Sequence, residues 1–172
     1  MYIVLSLKKS YFVMKKITEK PLITIKNNRS SCPVSTSLEI VGDQWSLILI
    51  RDLFMQRNTF SDFKNSPEKI STNILTDRIN KLLKYELIDY TIHPKNRKIK
   101  QYYLTQSGIN LYPLLYDLSM WSKDHLGMEF HPLSIEWYKN SEKEEREVFI
   151  KRTIEEYKEF RASLLNKEKL PV

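Results

Sequence analysis

Residues 69–105, KISTNILTDRINKLLKYELIDYTIHPKNRKIKQYYLT, combine one helical pattern with two strand patterns. The first half has apolar residues at the spacing of one helical face, which predicts a helix over 71–84 that buries this face. The residues of the apolar face are Ile74, Leu75, Ile79, Leu82 and Leu83.

The opposite face of this helix carries short polar side chains. They are Ser71, Thr72, Asn73, Thr76, Asp77 and Asn80. Threonine and asparagine are middling helix formers, so a helix that needs only solubility would more often show Glu and Lys there. Asparagine can form two hydrogen bonds with adenine in the major groove, and threonine offers a hydroxyl or a methyl group. The face is therefore either an ordinary solvated surface or a surface that contacts DNA bases.

A β-hairpin is predicted after the helix. LIDYTIH at 87–93 and IKQYYLT at 99–105 are rich in β-branched and aromatic residues, and the polar turn PKNRK separates them. A basic hairpin directly after such a helix can contact phosphates, although many hairpin tips are charged only for solubility. The candidate phosphate contacts are Lys95, Arg97, Lys98 and Lys100 at or near the tip, and Lys69, Lys81 and Lys84 along the helix.

The residues before this stretch predict three further helices. STSLEIVGDQWSLILIRDLFMQ, residues 35–56, predicts two of them, with a capping box formed by Thr36 and Glu39 and with Asp43 as the second N-cap. TFSDF predicts a short third helix that Ser61 caps and that ends at Pro67. The fold class predicted is α+β, a mainly helical winged helix-turn-helix domain with a β-hairpin wing and flanking helices.

A long helix is predicted within residues 105–126. Thr105 is its expected cap, and Pro113 should kink it or stagger its start. An apolar stripe follows, made of Leu111, Leu114, Leu115, Leu118 and Trp121. Such a stripe is either core or a dimer contact. The winged domain is too small to cover it, which favours a homodimer.

Three segments are expected along the chain. Residues 1–31 form a basic N-terminal arm, 32–127 the winged helix-turn-helix DNA-binding and dimerisation domain, and 128–172 a linker followed by a charged helix. That last helix should pack on a partner or on the back of the domain. MKKITEKP, which begins at Met14, has the pattern of a bacterial start, so Met1 and Met14 both remain open as the first residue.

Composition narrows the class of protein. The 172 residues carry a net charge of +7, and residues 1–31 contain seven basic residues and one acidic residue. Such segments attract polyanions such as nucleic acid or acidic lipid surfaces, or simply keep the protein soluble. There is no run of 18 apolar residues, so no membrane span is expected, and a single cysteine suits the cytoplasm.

The sequence does not indicate an enzyme. His93, His125 and His131 are scattered without metal-ligand spacing, and the chain has neither a G-x-S-x-G motif nor a Walker loop. No cofactor and no metal are expected. The serious alternative to DNA binding is a winged-helix module that binds another protein and has no specific DNA target.

An ordered set of motifs resembles the HxlR-type family of winged helix-turn-helix transcription regulators, which share a MarR-like fold. The set is CP at 32–33, GDQWSLILIRDLF at 42–54, TFSDF at 59–63, ISTNILTDRINKL at 70–82, YELI at 85–88, YYLTQSG at 102–108 and LYPLLYDLSMW at 111–121. Members of the family often have glycine after the second helix and before LI, where this chain has MQRNTF and Glu86.

The resemblance implies a homodimeric transcriptional regulator with two wings that binds a double-stranded DNA operator with two-fold symmetry. It also implies an oxidant, an electrophile or another small-molecule effector, sensed through a cysteine at the place of Cys32. Cys32 precedes a predicted helix and follows Lys26 and Arg29. A helix N-terminus and nearby cations favour the reactive thiolate. An inert, partly buried cysteine is the alternative.

Overall fold

A computed structural model of the chain describes residue 23, residue 25 and residues 29–166. Most of the predicted basic arm, residues 1–31, lies outside the described residues. Within the described part, no helix is long and apolar enough to cross a membrane.

The described residues form eight helices and one hairpin. In chain order they are α1 (Pro33–Val41), α2 (Ser46–Phe54), α3 (Phe60–Lys64), α4 (Thr72–Lys84), β1 (Ile88–Ile92), β2 (Lys100–Leu104), α5 (Gln106–Ile109), α6 (Tyr112–His125), α7 (Pro132–Ser141) and α8 (Arg146–Asn166). The strands are antiparallel, with Ile88 opposite Leu104 and Ile92 opposite Lys100. The predicted winged helix-turn-helix fold is confirmed.

One hydrophobic core joins the helix-turn-helix to the hairpin and to the C-terminal helix. Its fully buried members include Leu53, Phe63, Leu75, Leu82 and Leu104. The apolar face predicted for α4 is therefore confirmed at its centre. The prediction that Ile74 is buried is wrong, because this residue lies at the edge of that face and is 40% exposed.

The predicted starts of α1 and α3 are wrong. Helix α1 begins at Pro33, so Thr36 lies inside it, and the Thr36 hydroxyl donates to the Ser30 carbonyl instead of capping. The cap of α3 is Thr59, whose hydroxyl accepts from the Asp62 amide while the Asp62 carboxylate accepts from the Thr59 amide. Ser61 lies within α3, because this reciprocal pair satisfies the first free amides two residues earlier.

The N-cap of α2 is Trp45, so the prediction of Asp43 as this N-cap is wrong by two residues, but the Asp43 carboxylate still binds the amides at this helix start. Its Oδ1 accepts from the backbone amides of Trp45 and Ser46 at 3.0 and 2.9 Å, and its Oδ2 accepts from the Ser46 hydroxyl. One carboxylate thus satisfies two of the amides that a helix start leaves without partners.

Helices α2 and α4 end in the same way. Gln56 and Glu86 adopt left-handed φ angles of 60° and 53°. After α4, the Glu86 amide donates to Leu83 O and the Leu87 amide to Leu82 O, which is the Schellman pattern. Glu86 is the position before LI where the resemblance implies a glycine, and Gln56 lies in the MQRNTF loop. A side chain at such a φ adds strain that glycine does not.

The segment expected to be a linker is a helix. Helix α7 occupies Pro132–Ser141, and the His131 side chain accepts from the Leu133 amide at its start. Helix α8 then packs on the back of the domain: Tyr157 is buried in the core, its hydroxyl accepts from the Leu104 amide at 2.8 Å, and Arg161 donates to the Leu104 carbonyl. These contacts with β2 could not be inferred from residues 128–172 alone.

Candidate nucleic-acid interface

The turn before α4 determines where this helix begins. The Lys64 ammonium donates to the Ile70 carbonyl at 2.8 Å, and Lys69 adopts a left-handed φ of 56°. The Ser71 hydroxyl then accepts from the Ile74 amide at 3.4 Å and caps the helix. With Leu75, Ile79 and Leu82 held in the core, the other side of α4 faces solvent.

All six polar residues predicted for the outer face of α4 are exposed. They are Ser71, Thr72, Asn73, Thr76, Asp77 and Asn80. The Thr76 hydroxyl donates to the Thr72 carbonyl at 2.9 Å, which leaves its methyl group and its oxygen lone pairs available. Among the described residues, Asn73 and Asn80 have no side-chain hydrogen bond, so their amides can bind an external partner.

The charge of Asp77 is balanced by a residue that the sequence analysis did not single out. Arg78 Nη2 lies 3.0 Å from Asp77 Oδ2, and its Nη1 lies 3.1 Å from Asp43 Oδ2. Arg78 therefore bridges the outer face of α4 to the start of α2. An acid on a surface that meets phosphate is less repulsive when a guanidinium pairs with it.

Lys81 is paired with a carboxylate, unlike the exposed Lys84 in the same helix. Its ammonium lies 2.9 Å from Asp43 Oδ2, and its side chain is 21% exposed. Burial alone would raise the pKa of Asp43, but hydrogen bonds from Ser46, Lys81 and two backbone amides hold it well below its usual value. Lys69 and Lys84 are exposed, as the prediction requires.

The hairpin tip presents its cations to solvent. Lys95, Arg97 and Lys98 are exposed, and the turn is held by a hydrogen bond from the Ile99 amide to the Asn96 carbonyl and another from the Lys98 amide to Asn96 Oδ1. The backbone is thus ordered while the charged side chains stay available.

The base of the wing is held by one contact between its two strands and by two contacts with the loop before α3. Lys100 is exposed, with its ammonium 4.0 Å from the ring centroid of Tyr90 on the opposite strand, a cation–π contact. The Tyr102 amide donates to the Asn58 carbonyl at 2.7 Å, and Thr59 forms a β-bridge with Gln101. These contacts tie the wing to the loop before α3, a link that the sequence did not reveal.

Comparison with known proteins identifies this arrangement. The sequence model of the HxlR-like helix-turn-helix family matches residues 40–130, which is more than half of the chain. The chain belongs to the HxlR-like helix-turn-helix family. The match ends before α7, so α7 and α8 lie outside the part that the family shares.

Relatives of this HxlR-like protein agree with the assignment. YdeP of Bacillus subtilis, an uncharacterized HTH-type transcriptional regulator, is 28% identical over 94 residues that cover 55% of this chain and 73% of YdeP. The crystal structure of PA1607, a candidate transcription factor, has a TM-score of 0.55 at 30% identity, covering 60% of this chain and 72% of PA1607. The oxidized form of the redox regulator HypR has a TM-score of 0.51 at 22% identity, covering 56% of this chain and all of HypR, and shows the shared fold.

The apolar stripe of the HxlR-like chain is divided between two environments. Leu111 and Leu115 pack against the core, whereas Leu114, Leu118 and Trp121 are 46%, 47% and 52% exposed. The Trp121 ring stacks on His125 with ring centroids 5.3 Å apart, and all three large side chains keep about half of their surface open to solvent. A contiguous apolar surface of this kind is typical of a protein contact.

Cys32, the residue predicted to sense oxidants or electrophiles, lies at the start of α1. It is exposed, it carries a free thiol, and it is the N-cap residue of α1 with Pro33 at the first helical position. Its amide donates to the Ser30 hydroxyl at 3.0 Å. Lys26, one of the two cations expected beside it, is outside the described residues, and the Arg29 guanidinium lies 4.0 Å from Glu39.

Proposed function

We propose that this protein is a homodimeric transcriptional repressor that binds a specific operator sequence in double-stranded DNA. What supports this most directly is the outer face of α4, where Asn73 and Asn80 are exposed without side-chain partners on a helix whose other face is fixed in the core. Family membership assigns the chain to helix-turn-helix proteins, in which the second helix enters the major groove.

In this proposal the two parts of the domain have different tasks. Asn73, Thr76 and the neighbouring polar residues of α4 contact base edges and provide sequence discrimination. Lys69, Lys84 and the wing cations contact phosphates, which contributes affinity without discrimination. Lys81 is assigned a positioning task, because its ammonium already binds Asp43.

The exposed residues of α6 form the proposed dimer contact. A two-fold dimer places two copies of α4 in successive turns of the major groove, so the operator should have half-sites about 10 base pairs apart, or a multiple of that spacing. Where such a site overlaps a promoter, a bound dimer blocks polymerase, which is the reason for proposing repression.

The test is binding of the full chain to an operator and to a scrambled duplex across a salt series, after the operator is mapped on genomic DNA. We expect preference for the operator, and affinity for both duplexes that falls steeply with salt. Asn73→Ala should reduce the preference by about 1–3 kcal/mol. Absence of binding to either duplex at low salt would refute the proposal and favour the protein-binding module.

We further propose that Cys32 senses electrophiles. Its exposed sulfur at the start of α1 can, as the thiolate, add to a ring carbon of a quinone, and the ring then takes up a proton. Benzoquinone should add its own mass to the wild-type chain and change its DNA affinity, and Cys32→Ser should prevent both effects. An equal change of DNA affinity in Cys32→Ser would refute sensing at this residue.

A further inference from the structure

A groove of about 480 Å³ lies between α3 and the wing. Its lining includes Lys98 and Lys100 from the wing and Ser61 and Lys64 from α3, and all four residues are exposed. The sequence indicates the wing lysines as phosphate contacts, but it does not place Ser61 and Lys64 beside them. The fold therefore brings cations from two separate segments to one concave surface.

The groove is strongly basic. Three of the described residues that line it are lysines, and none of those lining residues is acidic. Among the ion pairs of the described residues, no carboxylate is paired with Lys64, Lys98 or Lys100. A cleft lined by charges of one sign concentrates the electric field and attracts a ligand of the opposite sign. The groove is thus suited to an anion.

Two of the three ammonium groups are held in place by the fold. Lys64 donates to the Ile70 carbonyl at 2.8 Å, and the Lys100 ammonium lies 4.0 Å from the ring centroid of Tyr90. An ammonium has three N–H donors, so Lys64 keeps two of them for an external partner and Lys100 keeps all three. Because these contacts already restrict the two side chains, less conformational entropy is lost when an anion binds.

The Ser61 hydroxyl is a neutral donor in the same groove. The Ser61 side chain makes no hydrogen bond with the described residues, and its backbone carbonyl accepts from the Asn65 amide. The Thr59 hydroxyl, in contrast, donates to Asp62 Oδ2 at 2.7 Å. The same Asp62 oxygen accepts from the amides of Asn58 and Thr59, so this acid is bound to the residues that precede α3. Ser61 therefore offers a free hydroxyl beside unpaired lysines, a combination common in phosphate contacts.

We propose that this groove binds one phosphate of the DNA backbone in each half of the operator. Lys64, Lys98 and Lys100 supply the positive charge, and the Ser61 hydroxyl donates to a phosphate oxygen. Hydrogen bonds to an ionised phosphate are stronger than those between neutral groups, so several donors that converge on one phosphate favour its binding. Inorganic phosphate presents the same kind of oxygen atoms and can probe the groove without DNA.

The position of the groove is consistent with a backbone contact. Lys98 belongs to the hairpin tip, and Lys64 binds the carbonyl of Ile70, directly before the Ser71 cap of α4. The groove thus connects the wing with the start of the helix proposed to enter the major groove. A phosphate held there fixes the orientation of both parts on the duplex without contacting a base. This inference rests on the proposed DNA-binding function.

The groove is first tested without DNA, by NMR titration of the full chain with inorganic phosphate while chloride keeps the ionic strength constant. We expect saturable shifts of the Ser61, Lys64, Lys98 and Lys100 amides. Ser61→Asp should abolish them, because the new carboxylate repels the anion. Ser163→Asp, the matched control on an exposed part of α8, should bind phosphate as the wild type does. Absence of saturable shifts in the wild type, or the same shifts in Ser61→Asp, would overturn the site.

The DNA contact is tested with operator duplexes in which one phosphate of each half-site is replaced by an uncharged methylphosphonate, moved one linkage at a time. On unmodified DNA, Ser61→Asp should bind about 10-fold more weakly than wild type, equally for the operator and a scrambled duplex. At the linkage that the groove holds, methylphosphonate should weaken binding of the wild type. On that duplex Ser61→Asp should lose no further affinity, since both changes remove the same contact.

The melting temperature of Ser61→Asp separates loss of binding from loss of folding. It should not fall below that of the wild type, because an acidic residue is favourable in the first turn of a helix. If Ser61→Asp weakens binding by the same factor at every methylphosphonate linkage, its carboxylate acts by general repulsion and the phosphate contact is refuted. Phosphate binding without any DNA binding would refute the DNA assignment and leave an anion site. Normal operator binding without a response to phosphate or to any linkage would refute the groove alone.

Discussion

Lys81 and Lys98 look alike in the sequence, and the structure predicts opposite consequences when each is changed to alanine. Lys98 is exposed at the hairpin tip, whereas the Lys81 ammonium lies 2.9 Å from Asp43 Oδ2 and is largely shielded from solvent. Lys98→Ala should therefore affect DNA binding alone. Lys81→Ala should affect the stability of the fold.

The magnitudes follow from these contacts. Each phosphate contact contributes about 0.9 to the slope of the logarithm of DNA affinity against the logarithm of salt concentration. In a dimer with two wings, Lys98→Ala should therefore reduce the magnitude of this salt slope by about 2. The free energy of unfolding should change by less than about 0.5 kcal/mol. A hydrogen bond to a charged group contributes about 1.5–3 kcal/mol. Asp43 keeps Arg78, Ser46 and two backbone amides, so Lys81→Ala should cost about 1 kcal/mol, below the lower end of that range.

Urea unfolding of each variant measures its free energy of unfolding. Fluorescence anisotropy of a labelled duplex, titrated with each variant between low and moderate salt, measures the salt slope of DNA binding. Lys84→Ala is the matched control, because it makes the same substitution in the same last turn of α4 but at an exposed position. Like Lys98→Ala, Lys84→Ala should lower the salt slope and leave the free energy of unfolding nearly unchanged. The reasoning is refuted if Lys81→Ala leaves stability unchanged and lowers the salt slope as much as Lys98→Ala does.

Three further outcomes are expected. Trp121→Glu should convert the dimer to monomer in sedimentation at micromolar concentration, because it places a charge in an apolar contact, and Trp121→Phe should not; a monomeric wild type would contradict this. Glu86→Gly should raise the unfolding free energy by about 0.5–1 kcal/mol, since glycine removes the strain of a φ of 53° at some entropic cost, and a decrease would contradict it. Hydrogen bonds from Arg51 and Ser66 hold the pKa of Glu68 at about 2, against an ordinary value of 4.5. The stability that the ionised Glu68 carboxylate contributes is therefore complete above pH 4.5 and is lost as the pH falls towards 2. The stability difference between wild type and Glu68→Gln should thus shrink between pH 6 and pH 2.5; an equal difference at both would rule this out.

The candidate DNA-contacting surface was largely predictable because its signals are local. The 3.6-residue period places Leu75, Ile79 and Leu82 on one side of α4, which forces Asn73 and Asn80 to the other. Strand alternation and a polar turn are equally local and predict the wing. The six polar residues of α4 lie on the exposed side for this reason alone, whatever they bind.

Local patterns were insufficient where an element depends on distant residues. Asp43 and Lys81 are separated by 38 positions, and nothing near Lys81 shows that it has a carboxylate partner. Arg78 was overlooked for the same reason. Gln56 and Glu86 show the converse: hydrogen bonds around each helix end impose a left-handed conformation that their residue types do not favour.

The apolar stripe of α6 separates what the sequence determines from what only the tertiary structure decides. Periodicity is sufficient to place Leu114, Leu115, Leu118 and Trp121 on neighbouring faces of α6, and Leu111 is the N-cap of this helix. The sequence cannot say which of them are covered, because that depends on where α2 and α8 pack. In the structure these helices contact α6 and leave Leu114, Leu118 and Trp121 exposed. They also enclose, together with α7, a cavity beside Tyr112. Helical periodicity is a property of consecutive residues, whereas coverage and cavities arise between segments that the chain brings together only on folding.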